Sequence, residues 1–426
     1  MKKVILGFSS LFLSCSTYAQ TGAGVGDLQL NTITTALPFM AITPDSRAGG
    51  MGDAGTALSG NSSSIYWNTS MLVFAKDKSE ISISYTPWLR QLTNDIHLSY
   101  LSGYSKIGDR HVIGGAMRYF SLGEITFTDA SGNFIRLDKP AEFEFTGSYA
   151  FRLGSRSSVG INGKFAHSNL TGGLVIEGAE SKAAIAGAAD ISYTFFNDDA
   201  KIGKLRGTYA FAATVNNLGN KVAYSNTQNR DFIPMNLKIG NSFKAQFDKF
   251  NSLTLAIDVQ KLLVPTPAKF LNVGTTANPD VQLVSGKSND VGVIGGLLQS
   301  FYDAPGRLAT DEDGNNIVNS DGTYQVVKNS KFKEELSEIN VCAGLEYWYN
   351  DIFAVRAGYF YEAPNKGDRQ YLNLGFGLKY NKFGLDFSYL AAVGQRRSPL
   401  ANTLRFTLRF TFDDRNSATA DDAKPE

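Results

Sequence analysis

The last strand-length stretch of the chain, residues 402–412, alternates apolar and polar residues with a period of two. The two faces of such a strand would carry Leu404, Phe406, Leu408, Phe410 and Phe412 on one side, and Arg405, Thr407, Arg409 and Thr411 on the other. A soluble sandwich would have to bury both arginines in a closed apolar core, which is energetically costly. A membrane barrel instead gives lipid to the apolar face and a hydrated lumen to the polar face. The pattern therefore favours a barrel strand with Arg405 and Arg409 in a hydrated lumen.

Segments of the same kind recur along the chain, about 14 in total and each about as long as one strand. They begin near residues 79, 95, 111, 141, 157, 182, 206, 233, 251, 338, 352, 369, 382 and 402. Bacterial single-chain barrels have an even number of strands. The sequence therefore predicts an all-β fold, an outer-membrane antiparallel β-barrel of about 14 strands over residues 79–412.

The links between these segments alternate in length. Short links lie near Gly154 and Lys249, and at Asn350-Asp351 and Asn381-Lys382. Long links cover residues 123–139, 169–181, 217–232 and, above all, 265–337. Outer-membrane barrels have short periplasmic turns and longer outer loops. Residues 265–337 are therefore predicted to form a long extracellular loop, and residues 413–426 a polar C-terminal tail.

The first residues have the pattern of a secretory signal peptide, predicted for residues 1–19. Lys2 and Lys3 precede an apolar stretch, and small and polar residues follow up to Ala19. Cleavage there would leave Cys342 as the only cysteine, so no internal disulfide is predicted. A lipidated Cys15 is the alternative, although Phe12 stands where a lipobox usually has leucine.

The overall composition limits the choice of partners. The 426 residues include 41 Lys and Arg against 40 Asp and Glu, for a net charge of +1, and no long basic run is present. This gives no electrostatic reason to bind a nucleic acid backbone. Charged residues make up only 19% and aromatic residues 12% of the chain, which suits a protein whose surface largely faces outer-membrane lipid.

Residues 20–78 differ from the strand segments, because glycines and polar residues dominate there. Two motifs stand out: Arg47, Ala48, Gly49, Gly50, Met51, Gly52, Asp53, Ala54 and Gly55, followed by Ser64, Ile65, Tyr66, Trp67 and Asn68. Together they resemble the N-terminal hatch of the FadL superfamily of outer-membrane proteins. The usual Trp-Asn-Pro-Ala ending of that hatch is replaced here by Trp67, Asn68, Thr69 and Ser70. The resemblance implies a hatch folded inside or beneath the barrel.

Within that superfamily the chain resembles the PorV family of the type IX secretion system of Bacteroidetes. The resemblance is carried by residues 84–104, 118–129, 300–306, 333–340 and 344–362, and by the late GLDFSYL and PLANTLRF stretches. In the family pattern the D-A-P-G stretch runs almost directly into the E-E-L stretch. Residues 307–332 separate the two here and look like an insertion.

The resemblance implies a non-enzymatic outer-membrane protein. Such a protein receives cargo bearing a C-terminal signal domain from the type IX translocon and passes it to the sortase complex at the cell surface. Phe301, Tyr302, Asp303 and Pro305 combine aromatic anchors with a turn, and are the candidate partner-binding residues. Two alternatives stay open: a FadL-like transporter of hydrophobic molecules, and an enzyme that removes O-linked acyl chains from lipid A.

No catalytic, metal or cofactor site is predicted. His97, His111 and His167 lack metal-ligand spacing. The acidic stretch 311–315 is similar to a calcium loop, but its glycine comes too early and no glutamate stands at the twelfth position. Trp67, Trp88 and Trp348 are interpreted as hatch or membrane-interface aromatics.

Overall fold

The computed structural model describes residues 30–90, 93–129, 131–170, 175–176, 179–225, 230–274, 280–393 and 402–412. The predicted signal peptide and the predicted C-terminal tail lie outside the described residues. In these ranges, no helix has the length and apolar character needed to cross a membrane.

Fourteen antiparallel strands form one closed barrel. In chain order they are β1 Ser79–Pro87, β2 Ile96–Ile107, β3 His111–Leu122, β4 Ala141–Arg152, β5 Ser157–Asn169, β6 Ala184–Ile202, β7 Leu205–Gly219, β8 Asn236–Gln246, β9 Asn251–Leu262, β10 Ile339–Tyr349, β11 Phe353–Tyr361, β12 Gln370–Tyr380, β13 Phe383–Ala392 and β14 Thr403–Phe412. Each strand pairs with the next, and β14 closes the barrel on β1 from Ser79↔Phe412 to Tyr85↔Phe406. The predicted fold class and strand number are confirmed.

Side chains alternate between the outer wall and the lumen, as the period of two in the sequence predicts. In β14, Phe406 and Leu408 are exposed on the outer wall, while Arg405 and Thr407 point inward and are buried. Because the outer wall of such a barrel faces hydrocarbon, exposed apolar side chains there are stable.

Connections at the two ends of the barrel differ in length. One end has tight turns, such as Asn350-Asp351, where both residues have positive φ (54° and 50°), a conformation common in hairpin turns. At the other end lie all the long connections, including the stretch between β9 and β10, residues 263–338, which we call the long loop. Because barrels of this kind carry their long loops outside the cell, we name the long-loop end the extracellular end and the opposite end the periplasmic end.

Residues 36–75 lie inside the barrel, and we call them the luminal segment. It contains a 3₁₀ helix at Pro38–Ala41, short helices α1 Ser46–Gly49 and α2 Ser64–Trp67, and a second 3₁₀ helix at Thr69–Phe74. Asp45 begins α1 by accepting a hydrogen bond from the Ala48 N–H (3.0 Å). Nearly all side chains of the segment are buried.

The two arginines of β14 form ion pairs inside the barrel, and each also lines an internal cavity. Arg405 lies 3.4 Å from Asp53 of the luminal segment, and Arg409 lies 2.9 Å from Asp386 of β13. Arg405 is only 4% exposed. Carboxylates of the luminal segment and of β13 therefore stabilise these inward-facing charges.

Smaller hairpins and helices lie at the extracellular end of the barrel. Two-stranded hairpins form at Ile125–Thr128 with Phe134–Asp138, Val175–Ile176 with Ala179–Glu180, and Lys269–Asn272 with Val281–Ser285. The long loop also carries helices α3 Val293–Gln299 and α4 Ser330–Ser337. Val293 and Leu297 of α3 pack against a core formed with Phe39, Phe120 and Phe232. This core covers the extracellular side of the luminal segment.

Candidate functional site

The glycines of the hatch motif allow the luminal segment to lie directly against the barrel wall. Gly52 has a φ of +69°, and a Cβ added there would lie 2.5 Å from the Tyr359 nitrogen. Gly50 lies against Gly375, where an added Cβ would be 3.1 Å from its Cα. The Gly49 carbonyl accepts a hydrogen bond from Asn373 Nδ2 (2.5 Å). Backbone therefore meets backbone at this contact, which only glycine permits.

Arg47 links the luminal segment to strand β10. Its Nε donates to Glu346 Oε2 (2.9 Å) and its Nη2 to Glu346 Oε1 (2.8 Å). Arg356 also donates to Glu346 Oε2 (2.8 Å) and pairs with Asp386, which in turn holds Arg409. A paired arginine–carboxylate geometry of this kind is strong and orientation-specific.

The other polar residues of the hatch motif are also held by hydrogen bonds. Tyr66 donates its hydroxyl to Ala41 O (2.9 Å). Trp67 Nε1 donates to Asp45 Oδ1 (2.6 Å), and Trp67 packs against Gly55, where a Cβ would be 2.3 Å from its ring. Asn68 Nδ2 donates to Thr56 O and to Thr194 Oγ1 of β6 (2.9 and 2.8 Å).

The motif's altered ending makes its own contacts with the wall. Thr69 donates its hydroxyl to Asn162 Oδ1 of β5 (2.6 Å), and the Ser70 N–H donates to Ser192 Oγ of β6 (3.0 Å). Met51 is fully buried. The structure thus brings the ten hatch residues together in the lumen: Arg47, Gly49, Gly50, Met51, Gly52, Asp53, Gly55, Tyr66, Trp67 and Asn68.

Two cavities lie on opposite sides of the luminal segment. The extracellular one, about 540 Å³, is lined by residues that include Asp53, Lys238, Glu362 and Arg369 together with Trp88 and Phe120. The periplasmic one, about 450 Å³, is lined by residues that include Arg47, Lys76, Asp77, Lys244 and Asp351. Charged side chains from barrel and luminal segment line both, so neither is a simple apolar channel.

At the extracellular end, the acidic face of α4 holds the long loop together. Glu335 Oε1 accepts from the Ala304 N–H, and Glu334 Oε2 accepts from the Gly306 N–H (both 2.8 Å). Glu338 accepts from Lys261 Nζ of β9 (2.5 Å) and from the Thr266 hydroxyl (2.6 Å). The turn that contains the D-A-P-G stretch is therefore fixed to both the helix and the barrel rim.

The four candidate partner-binding residues divide into two pairs. Phe301 is 48% exposed and Tyr302 is 60% exposed. Asp303 and Pro305 are buried. Asp303 Oδ2 accepts from the Thr266 N–H (3.1 Å), so its contacts are within the loop. Only the two aromatic side chains are accessible to a partner.

Burial raises the pKa of the Asp303 carboxyl to about 6, and the nearby Glu338 and Glu335 carboxylates act in the same direction. Hydrogen bonds from Gln299 and from the Thr266 N–H oppose the shift. Burial also raises the pKa of Glu335. The interior of the long loop is thus a set of closely spaced carboxyls.

The predicted insertion, residues 307–332, spans two different structures. Residues 307–327 form two successive turns, which we call the double turn, and none of its residues is buried. The Val327 N–H donates to Arg307 O (2.8 Å), so its ends meet. Helix α4 begins at Ser330, inside the predicted insertion.

Sequence reasoning did not single out the wall residues that hold the luminal segment. Glu346, Asp386 and Asp258 each lie at an inward-facing position of a strand, and Asp258 Oδ2 accepts from the Thr56 N–H (2.8 Å). Their signal was available, because a carboxylate in the middle of an alternating strand must point inward. The partners of Glu346 and Asp258 in the luminal segment, however, lie 299 and 202 positions away in the sequence.

The three histidines contact aromatic rings. His97 lies beside Tyr85 and Tyr119, His111 beside Tyr149 and Phe151, and His167 stacks on Phe143 (ring centroids 4.8 Å apart). Within the part of the chain that the structure describes, no group of three His, Cys, Asp or Glu side chains has metal-binding geometry.

Comparisons with solved structures return barrels from other bacteria. They include the toluene transporter TbuX of Ralstonia pickettii (11% identity, TM-score 0.45, covering 87% of this chain and 98% of that one) and the toluene transporter TodX of P. putida (11%, 0.42, 87% and 99%). A Pseudomonas aeruginosa FadL homologue has 10% identity, with a TM-score of 0.41 and coverages of 90% and 99%. At these identities and scores the likenesses say nothing about what this chain binds. No curated protein sequence matches it.

The family comparison is specific. The model of the family described as type IX secretion system protein PorV matches residues 26–269, more than half of the chain. The match covers the luminal segment and the first nine strands of the barrel. The chain therefore belongs to the PorV family and is an outer-membrane component of the type IX secretion system.

Proposed function

We propose that this protein is a non-enzymatic carrier that receives secreted cargo from the type IX translocon and passes it to the sortase complex at the cell surface. The cargo would be recognised through its C-terminal signal domain. Family membership supports the secretion role. The observation that carries the carrier role is the pair Phe301 and Tyr302, exposed on a loop whose backbone is held firmly by α4.

A rigid loop with exposed aromatic side chains is suited to protein recognition. Phe and Tyr supply large contact areas at low conformational cost, and a preformed loop loses little entropy on binding. Lys261 lies 5.8 Å from the Phe301 ring centroid and Lys287 lies 3.7 Å from that of Tyr302. An ammonium group therefore lies beside each ring, and that of Lys261 is also paired with Glu338.

The interior of the barrel supports this proposal over transport of hydrophobic molecules. A transporter of that kind needs a continuous apolar path, whereas here the luminal segment separates two cavities, and charged side chains stand among the apolar ones that line each. The segment is held by several buried hydrogen bonds to the wall, such as Asn68 to Thr194 and Ser70 to Ser192. The barrel thus acts as an anchor that presents its outer loops.

Copurification tests the proposal. The protein carries an affinity tag, is extracted from outer membranes in mild detergent, and its partners are identified by mass spectrometry. We expect translocon subunits, cargo with C-terminal signal domains, and sortase-complex subunits, in separate or successive complexes. Recovery of none of them, together with normal secretion in a deletion strain, would overturn the carrier role.

A further inference from the structure

The described chain begins at the extracellular rim of the barrel. Leu30 is 50% exposed. The Asn31 N–H donates to Asn365 O (3.0 Å), in the connection between β11 and β12. The Asn31 side-chain amide donates to Pro267 O (3.1 Å) and to Glu334 Oε1 (2.9 Å), both in the long loop.

The other end of the same segment lies at the periplasmic rim. Lys76 is exposed, and its Nζ lies 4.0 Å from Asp351 Oδ2 in the tight turn between β10 and β11. Strand β1 starts three residues later, at Ser79. Between Leu30 and Lys76 the chain therefore crosses the lumen from outside to inside, opposite to the direction in which β1 then crosses the membrane.

Residues 30–36 contact three separate connections between strands at the extracellular end. The Ala36 N–H donates to Phe232 O (2.8 Å), in the connection between β7 and β8. Ile33 packs against the apolar core under that connection, while Thr32 and Thr34 are exposed. Asn31 supplies the contacts to the other two connections.

Glu334 links this segment to the partner-binding turn. One oxygen, Oε1, accepts from Asn31 and from Lys366 Nζ (2.9 Å each), and the other, Oε2, accepts from the Gly306 N–H (2.8 Å). A shift of Asn31 would therefore change the position of the carboxylate that fixes the D-A-P-G turn. A hydrogen bond accepted by a carboxylate is stronger than one between two neutral groups.

We propose that residues 30–35 are a latch, displayed at the cell surface, that holds the long loop in its partner-binding shape. Its removal would loosen α4 and the turn that presents Phe301 and Tyr302. That the shape held by the latch is the one that binds partners rests on the proposed function. The position of the latch and its effect on the loop do not.

Cysteine labelling tests the position of the latch. Leu30→Cys would be treated on intact cells with a membrane-impermeant maleimide, against a low background because Cys342 is fully buried. Glu312→Cys, in the exposed double turn, is the outer control, and Lys76→Cys is the periplasmic control. We expect Leu30→Cys to label on intact cells as Glu312→Cys does. Labelling only after the outer membrane is opened, as expected for Lys76→Cys, would overturn the proposal.

Hydrogen exchange tests the holding role. Purified Asn31→Ala is compared with Thr34→Ala, an exposed latch position whose side chain makes no hydrogen bond to any residue that the structure describes. We expect the amides of Ala304, Gly306 and α4 to exchange roughly tenfold faster in Asn31→Ala, the effect of losing about 1.4 kcal/mol of local stability, with strand amides unchanged. Equal exchange in the two variants would overturn the latch.

The experiments distinguish failure of the latch proposal from failure of the proposed function. Normal labelling and faster exchange without recovery of any secretion partner would contradict the proposed function and leave the latch intact. Recovery of partners together with inaccessible Leu30→Cys would contradict the latch and leave the proposed function intact.

Discussion

Arg47 of the luminal segment and Glu346 of strand β10 form a two-pronged ion pair inside the barrel, with N···O distances of 2.9 and 2.8 Å. Glu346 is 1% exposed. The pair joins residues that are 299 positions apart in the sequence. Through this pair the luminal segment joins the network of ion pairs between strands β10 to β14.

Removal of Arg47 should destabilise the folded protein. Arg47→Ala leaves the buried Glu346 with Arg356 alone, and breaking a buried pair costs about 3 kcal/mol or more. We expect the urea midpoint of unfolding in detergent to fall clearly. Lys76→Ala is the control, because its ion pair is exposed and long (4.0 Å), and such pairs contribute little. Equal midpoints for the two variants would show that the network does not hold the luminal segment.

Gly52 should tolerate no side chain. Its left-handed φ of +69° costs a residue with a Cβ about 1–2 kcal/mol, and the added atom would also collide with the Tyr359 backbone. We expect Gly52→Ala to reduce the heat-modifiable, folded barrel band in outer membranes. Gly163→Ala is the matched control, because no atom lies within 4 Å of an added Cβ there and its position faces outward. A normal folded band for Gly52→Ala would contradict the close approach.

The long loop should be packed more tightly at mildly acidic pH. The pKa of Asp303 is raised from 3.8 to about 6, so the protonated form fits the folded loop better than the charged form does. Stability from this group is fully present below about pH 4 and is lost as the pH rises through 6. Local hydrogen exchange near Thr266, measured from pH 5 to 8, should report the change. In both proteins the rates are corrected for the pH dependence of intrinsic amide exchange, and the remaining difference should be smaller in Asp303→Asn; an equal difference in the two would contradict the assignment to Asp303.

The double turn should be dispensable, unlike the helix that follows it. Deletion of residues 308–326 joins positions whose backbones are already hydrogen-bonded, Arg307 and Val327. We expect barrel assembly and secretion to remain near normal. Deletion of residues 307–332 should do more damage, because it removes the first turn of α4, the helix whose Glu335 and Glu334 accept from the Ala304 and Gly306 N–H groups. Secretion assays on both deletions compare the two, and equal effects would contradict this division.

The strands could be predicted from the sequence because alternation is a local signal. The side of the barrel wall to which a residue points follows from the period of two alone, as Phe406 (outward) and Arg405 (inward) illustrate. The hatch residues were found by resemblance, since nothing local in Arg47 indicates that Glu346 will bind it. The carboxylate partner of Arg405 could not be predicted either, because Asp53 lies far away in the sequence.

Composition alone also could not separate anchoring from exposed residues in the long loop. Phe301, Tyr302, Asp303 and Pro305 are consecutive or nearly so, but α4 holds the backbone around the last two, because the Ala304 and Gly306 N–H groups donate to Glu335 and Glu334. Those partners lie about thirty positions later in the sequence. The exposed aromatic pair therefore emerges only from the folded loop.

The carrier role is tested most directly by cargo bound to the tagged protein in cells that lack the sortase complex. With delivery blocked, cargo should accumulate on wild-type protein and on Phe332→Ala, an exposed aromatic control on α4. The Phe301→Ala/Tyr302→Ala variant should assemble normally but retain severalfold less cargo or translocon. Cargo recovery that is absent from the wild type, or equal in all three proteins, would contradict the account.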